Sequence, residues 1–97
     1  MSSQLTVLNP TGVPPKVTGT PLAPRLETLD GATIFLIDCR FDDSGRFLAQ
    51  VAAWFRERMP GVRAIVKELS SVYLLDDPAT WREIQTEGNA AILGVGH

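Results

Sequence analysis

Three short apolar runs with the features of β-strands follow one another after residue 30. Residues 32–37 form a continuous apolar run with β-branched side chains, which is typical of a strand buried on both faces. Residues 62–69 are also apolar but carry three charges, which indicates an edge strand or one exposed face. Residues 90–93 are apolar throughout. The pattern predicts one β-strand in each run.

An amphipathic helix is predicted between the first two strands. Asp42, Asp43 and Ser44 offer side-chain oxygens for its N-cap. Apolar residues then recur at spacings of three and four, namely Phe47, Leu48, Val51, Ala52, Phe55 and Met59. At ~100° per residue, these positions and Trp54 cover about half of the helix circumference. Pro60 and Gly61 end the helix.

A second helix is predicted between the second and third strands. Asp76, Asp77 and Pro78 supply an aspartate cap and a proline in the first turn, and the helix continues to Gly88. The order is therefore β-α-β-α-β. Parallel crossovers are almost always right-handed, and in their usual doubly wound arrangement the first strand lies between the second and the third. The charged second strand then lies at the outside of the sheet. The predicted fold class is α/β, a three-stranded parallel half of a doubly wound sheet.

The first 29 residues differ from the rest. They hold five of the seven prolines, which exclude a helix or an inner strand. Apolar residues are nevertheless spread through them, unlike most disordered tails. We predict an extended Pro-rich arm over residues 1–29 that lies on a surface of this chain or of a partner, with a mobile leader as the alternative.

Residues 30–97 are predicted to form an α/β half-domain that needs a covering partner. Three strands and two helices give a marginal core, and the apolar third strand would be an exposed edge that favours pairing. We expect a second copy of the chain, another protein subunit or a further stretch of polypeptide to cover it.

Composition narrows the functional classes. Nine Lys and Arg against eleven Asp and Glu give a net charge of −2, which argues against nucleic acid as a partner. No apolar run is long enough to cross a membrane and no secretion signal is visible, so we expect a cytoplasmic protein. A single cysteine makes no internal disulfide. The spacing of cysteine and histidine gives no metal site, and whether the protein uses a cofactor stays open.

Candidate site residues cluster where the first and third strands end. Open α/β sheets bind ligands at this edge, at the point where strand order reverses. A thiol beside an imidazole forms the reactive thiolate, and an arginine there adds positive potential or binds an anionic substrate. The candidates are Cys39 and His97 as catalytic residues, and Asp38, Arg40, Gly94 and Gly96 as substrate-binding residues.

Each candidate also has a structural interpretation. Cys39 is a small core residue in that view, and Asp38 caps the backbone or pairs with Arg40. A terminal histidine such as His97 is often only a chain end. The glycines around Val95 look like the start of a phosphate-binding loop, but no third glycine or helix follows, so the signal is weak.

Four segments resemble the bacterial UGSC family, named for a selenocysteine-Gly-Ser-Cys motif. The matching segments are residues 8–12 (Leu-Asn-Pro-Thr-Gly), 29–31 (Leu-Asp-Gly), 34–38 and 91–96 (Ala-Ile-Leu-Gly-Val-Gly). In that family the last segment continues as Gly-Val-Gly-Asp, then selenocysteine or cysteine, Gly, Ser and Cys. The resemblance implies a thiol or selenol redox function, with the reactive atom directly after His97 and with Gly94, Gly96 and His97 as its approach loop. His97 replaces the acidic residue expected there.

Three explanations fit an end at His97. A separate subunit supplies the rest of the site, a UGA selenocysteine codon is read as a stop, or the polypeptide is cut before the nucleophile. The first hypothesis for function is therefore a small subunit or N-terminal half of a bacterial enzyme that acts on a small molecule, with the reactive group partly supplied from beyond His97. The alternatives are a redox protein of the UGSC type and a non-catalytic assembly module.

Overall fold

Three parallel strands and two helices follow the N-terminal arm in the predicted order. The computed structural model describes residues 4–14, 18–71 and 74–96. Within these ranges the elements are β1 (Thr33–Asp38), α1 (Ser44–Arg58), β2 (Arg63–Glu68), α2 (Pro78–Glu87) and β3 (Ala90–Gly94). No helix in the described part of the chain is long and apolar enough to cross a membrane.

The sheet has the predicted topology. The strand order is β2-β1-β3, and both pairings are parallel. Leu36 in the centre of β1 lies between Val66 of β2 and Ile92 of β3. The prediction of an α/β half-sheet with the first strand in the middle is confirmed.

The side chains of β1 alternate between two apolar cores, one under each helix. Ile34 and Leu36 pack with α1 in a cluster completed by Leu48, Ala52, Phe55 and Val62. Phe35 and Ile37 point to the other face and pack with Leu69, against which Cys39, Ile65, Trp81 and Ile84 also pack. This burial on both faces explains why the four residues between Thr33 and Asp38 in β1 are all apolar.

The two helices begin in different ways. Asp77 caps α2 as predicted, because its side chain accepts a hydrogen bond from the Thr80 backbone N–H, and Pro78 follows in the first turn. Asp43 is the N-cap residue of α1, but its side chain makes no capping hydrogen bond and instead pairs with Arg46. The predicted side-chain cap of α1 is therefore wrong in this respect. The side chain of Ser44 instead points into the protein and is fully buried.

The apolar stripe of α1 is wider than the surface beneath it. Leu48, Ala52 and Phe55 are buried, whereas Phe47 is 58% exposed and Trp54 is 52% exposed. Three strands do not offer enough sheet to cover a stripe that spans half of the helix. Phe47 and Trp54 are thus unburied apolar side chains in the isolated chain.

Strand β3 is an exposed edge, as the order of the strands requires. Ile92 is 43% exposed and Leu93 is 56% exposed. No other segment of the described residues forms a strand ladder with its outer side. The edge carries no charge or proline to prevent pairing with another chain.

The described part of the arm, residues 4–14 and 18–29, contains no helix or strand. Leu5, Val7, Leu8, Val13 and Leu22 are all more than 80% exposed. Residues 23–29 flank the start of β3 across a cleft of about 590 Å³. Among the described residues of the arm, these last ones line a cleft with the rest of the chain, whereas residues 4–14 are exposed. The domain boundary at residue 29 stays a prediction.

Candidate functional site

The carboxyl ends of β1 and β3 border an open cleft. It has a volume of about 360 Å³ and is lined by Arg40, Phe41, Asp42, Val95 and Gly96. The first three residues belong to the loop between β1 and α1, and the last two follow β3. The cleft lies at the point where strand order reverses, the usual ligand position in open α/β sheets.

Ser44 joins three segments beneath this cleft. Its side chain is fully buried, and its Oγ lies 2.5 Å from Asp38 Oδ1 and 3.0 Å from the Gly94 carbonyl oxygen. A hydroxyl has one proton to donate, and the carboxylate is the stronger acceptor. Ser44 Oγ in turn accepts a hydrogen bond of 3.1 Å from the Val95 backbone N–H. One hydroxyl thus ties the start of α1 to the ends of β1 and β3.

Asp38 lies below the cleft rather than in its lining. It is 8% exposed, and its Oδ1 accepts hydrogen bonds from Ser44 Oγ and from the Arg40 backbone N–H, the latter at 2.7 Å. A Cβ atom at Gly45 would come within 2.9 Å of Asp38 Oδ2, so glycine is what allows α1 to start this close to the carboxylate. This geometry suits a residue that shapes the loop.

Arg40 lines the cleft with its orientation set from β2. Its Nε lies 3.1 Å from Glu68 Oε1, and its Nη1 donates a 3.3 Å hydrogen bond to the Ser70 carbonyl oxygen. Its backbone has φ of 66°, the left-handed region that is unfavourable for residues with a side chain. Two contacts leave other N–H groups of the five-donor guanidinium for a ligand.

Cys39 points to the other face of the sheet. Its backbone N–H donates a 2.8 Å hydrogen bond to the Gly94 carbonyl oxygen, while its half-buried side chain packs against the cluster of Phe35, Ile37 and Leu69. It is not among the residues that line the cleft. His97 lies outside the described residues, so the predicted meeting of Cys39 with His97 stays a prediction.

The two candidate glycines differ in what they do. The Gly94 carbonyl oxygen accepts the Cys39 N–H and faces Ser44 Oγ, and the Gly94–Val95 peptide bond is cis. Gly96 lines the cleft, and no described atom comes within 4 Å of a Cβ placed there. Gly94 therefore belongs to the structural network, and Gly96 to the open side of the cleft.

The loop after β2 contributes to the same edge through backbone groups. Ser70 accepts from Arg40 through its carbonyl and donates a 3.0 Å hydrogen bond to Asp77 Oδ2 through its N–H. Asp77 also accepts from Thr80 Oγ1 at 2.7 Å. The Ser70 N–H, followed by the Thr80 hydroxyl, lowers the pKa of Asp77 from 3.8 to about 2.

Sequence reasoning missed Ser44 and Ser70. Ser44 follows two aspartates, and the sequence pattern does not distinguish the three as cap residues. The turn between β1 and α1 brings Ser44 back over the end of β1, where it meets Asp38. Ser70 acts mainly through its backbone carbonyl and N–H, and a backbone role is the same for every residue type and leaves no signal in the sequence. Across the described ranges, no group of three or more His, Cys, Asp or Glu residues has the arrangement to hold a metal ion.

Comparison with known proteins gives one positive result. No curated protein and no solved structure matches the chain. The model of the UGSC family matches residues 6–97, which is nearly the whole chain and includes most of the arm, the β1–α1 loop and the segment after β3. The chain therefore belongs to the UGSC family.

Proposed function

We propose that this chain is a small subunit or N-terminal half of a bacterial, cytoplasmic enzyme that binds a small molecule in the cleft at the strand ends. The single observation that carries the proposal is the cleft lined by Arg40, Phe41, Asp42, Val95 and Gly96 at the reversal of strand order. Its volume of about 360 Å³ is within the range of roughly 300–1,000 Å³ for small-molecule sites.

The lining favours a ligand with an anionic group. Arg40 presents a guanidinium held by Glu68 and Ser70, and its planar donors match a carboxylate or phosphate. Helix α1 starts at the same edge, and the positive end of its dipole adds to the attraction. Phe41 supplies an apolar wall for the rest of a small organic acid.

The reactive group is proposed to come from beyond His97. Among the described lining residues, the only side chain that offers a nucleophile or general base is that of Asp42. Ser44 Oγ is buried and engaged with Asp38, Gly94 and Val95. A thiol or selenol that follows the β3 segment would enter the cleft beside Gly96 with Arg40 facing it, which agrees with the chemistry for which the family is named.

The exposed edge of β3 is an argument that a further polypeptide segment covers it in the functional protein. Ile92 and Leu93 are the apolar side chains that such a polypeptide would cover. A continuation of the chain, a second subunit and a second copy all satisfy this requirement.

Activity-based metabolite profiling tests the proposal. The tagged chain is isolated with its bound partners from its native cells and incubated with the small-molecule extract of those cells, and mass spectrometry records which compounds are consumed. We expect loss of at least one small acid, and Arg40→Gln should slow that loss by about tenfold or more, as expected for a positioned ionic contact.

Arg82→Gln is the matched control, because Arg82 is an exposed arginine on α2 away from the cleft. It should leave the rate unchanged. No compound consumed by the isolated protein, or equal rates with both variants, would contradict the assignment of this cleft.

A further inference from the structure

Ser70 carries one hydrogen bond toward Arg40 and another toward Asp77. Its carbonyl oxygen accepts from Arg40 Nη1 at 3.3 Å, and its N–H donates to Asp77 Oδ2 at 3.0 Å. The cleft arginine and the cap of α2 are therefore joined through the backbone of a single residue. Neither Asp77 nor Ser70 lines the cleft.

We propose that Asp77 is a positioning residue for Arg40, acting through the Ser70 backbone. The consequence for ligand affinity rests on the proposed anion-binding function of the cleft. The positioning itself concerns only the orientation of the guanidinium and is measured without a ligand.

Asp77 is the fixed end of this chain of contacts. It is 5% exposed, and its oxygens accept hydrogen bonds from Ser70 N–H, Thr80 Oγ1 and Thr80 N–H. Thr80 is buried in the first turn of α2. The position of Ser70 is thus set by the N-terminal turn of a helix that packs on the sheet through Trp81 and Ile84.

Arg40 is the adjustable end. Its side chain is 41% exposed, and that of its ion-pair partner Glu68 is 62% exposed. Exposed ion pairs are too weak to hold a long flexible side chain in one rotamer by themselves. The Ser70 carbonyl supplies the second point of attachment, and two points define the plane of a guanidinium where one does not.

A helix cap alone does not require this arrangement. If Asp77 served only to cap α2, the two hydrogen bonds that it accepts from Thr80 would be sufficient. The third hydrogen bond, to Ser70 N–H, reaches seven residues back along the chain and fixes the loop that faces Arg40.

Asp77→Asn separates the two roles. The amide keeps one accepting oxygen for Thr80, but its nitrogen donates and cannot accept the Ser70 N–H. Asp76→Asn is the matched control, because Asp76 is the neighbouring acid in the same loop and its Oδ1 accepts from Asp77 N–H and Trp81 Nε1 without touching Ser70.

The readout is the Arg40 Nε–H signal in ¹⁵N NMR spectra of the full chain, together with a titration with acetate. In Asp77→Asn we expect the Nε–H signal to move and its exchange with water to accelerate. Acetate affinity should fall about fivefold, in the range found for coupled neighbouring residues, and should fall no further when Asp77→Asn is added to Arg40→Gln. Asp76→Asn should change neither quantity.

An unchanged Arg40 Nε–H signal in a folded Asp77→Asn protein would overturn the inference. If Asp77→Asn does not fold, Thr80→Val provides the second variant: it removes one hydroxyl contact to Asp77, and a smaller change of the same kind in the Arg40 signal is expected. If the unmodified chain does not bind acetate, the anion-binding function of the cleft is contradicted. The comparison of Arg40 Nε–H signals would still decide whether Asp77 positions Arg40.

Discussion

Replacement of Ser44 by alanine tests the hydrogen-bond network beneath the cleft. The substitution removes one donor to the buried Asp38 carboxylate and one acceptor for Val95 N–H. A hydrogen bond to a charged group contributes about 1.5–3 kcal/mol and a neutral one about 0.5–1.5 kcal/mol. Because Val95 is 38% exposed, water can replace its lost acceptor, so the smaller value applies there.

The expected loss is therefore about 2–3.5 kcal/mol. A domain of this size is stabilised by roughly 5–15 kcal/mol in total, so Ser44→Ala should lower the urea midpoint strongly. Urea unfolding followed by far-UV circular dichroism measures the change. Asp38 keeps its hydrogen bond from the Arg40 backbone N–H, which is why the loss should stop short of complete unfolding.

Thr20→Ala is the control for this experiment. Thr20 is an exposed hydroxyl residue in the described part of the arm, so removal of its hydroxyl should change stability by less than about 0.5 kcal/mol. If Ser44→Ala unfolds within that same margin of the unmodified chain, the network does not stabilise the strand ends and our reasoning about the site is wrong.

Three further predictions concern Asp77, Cys39 and Gly45. The pKa of Asp77 is lowered from 3.8 to about 2, mainly by the Ser70 N–H, so the charged carboxylate stabilises the fold fully above about pH 4 and loses this effect as pH falls toward 2. The urea midpoints of the unmodified chain and of Asp77→Asn should therefore converge between about pH 4 and pH 2. A difference in midpoint that does not depend on pH would contradict this. Cys39 packs against an apolar cluster, so iodoacetamide should label it about tenfold or more slowly in the native chain than in urea. Equal rates would favour an accessible, reactive Cys39, as in the alternative of a thiol redox protein. Gly45→Ala should lower the free energy of unfolding by about 1–3 kcal/mol, because the new Cβ would lie 2.9 Å from Asp38 Oδ2. Gly96→Ala is the control, since a Cβ there has open space around it. A gain in stability from Gly45→Ala, as at an exposed helix position, would refute the close contact.

The sequence was sufficient for the topology because local signals and chirality agreed. The continuous apolar run of β1, the charges of β2 and the proline at the start of α2 each identify one element. The handedness of crossovers limits the possible orders of strands, and the doubly wound arrangement with the charged β2 at the outside favours the observed one. A general rule of α/β folds, together with these local signals, was thus enough to place β1 in the middle.

The site was harder to predict from the sequence, because the direction of each side chain matters there more than its position along the chain. Asp38, Cys39 and Arg40 were all placed at the strand end, yet the alternation of a strand sends Asp38 toward α1 and Cys39 toward the α2 core. The period of two, continued from Phe35 and Ile37, was the signal that separates them. The role of Ser70 had no such signal, since backbone groups are the same in every residue.

The exposure of Phe47 also depends on tertiary context. Periodicity places it beside Leu48 on the apolar stripe, but the width of the sheet decides which of the two is covered. A pattern along one helix contains no information about the number of strands beneath it.

An amide NMR titration of the full chain with acetate tests the central claim most directly. If the strand-end cleft binds the anionic group of a small molecule, the largest shifts should occur at Arg40, Phe41, Asp42, Val95 and Gly96 and should saturate. The larger cleft between residues 23–29 and the start of β3 provides the internal comparison. Saturable shifts confined to that second cleft, or no saturable shifts at all, would contradict the account.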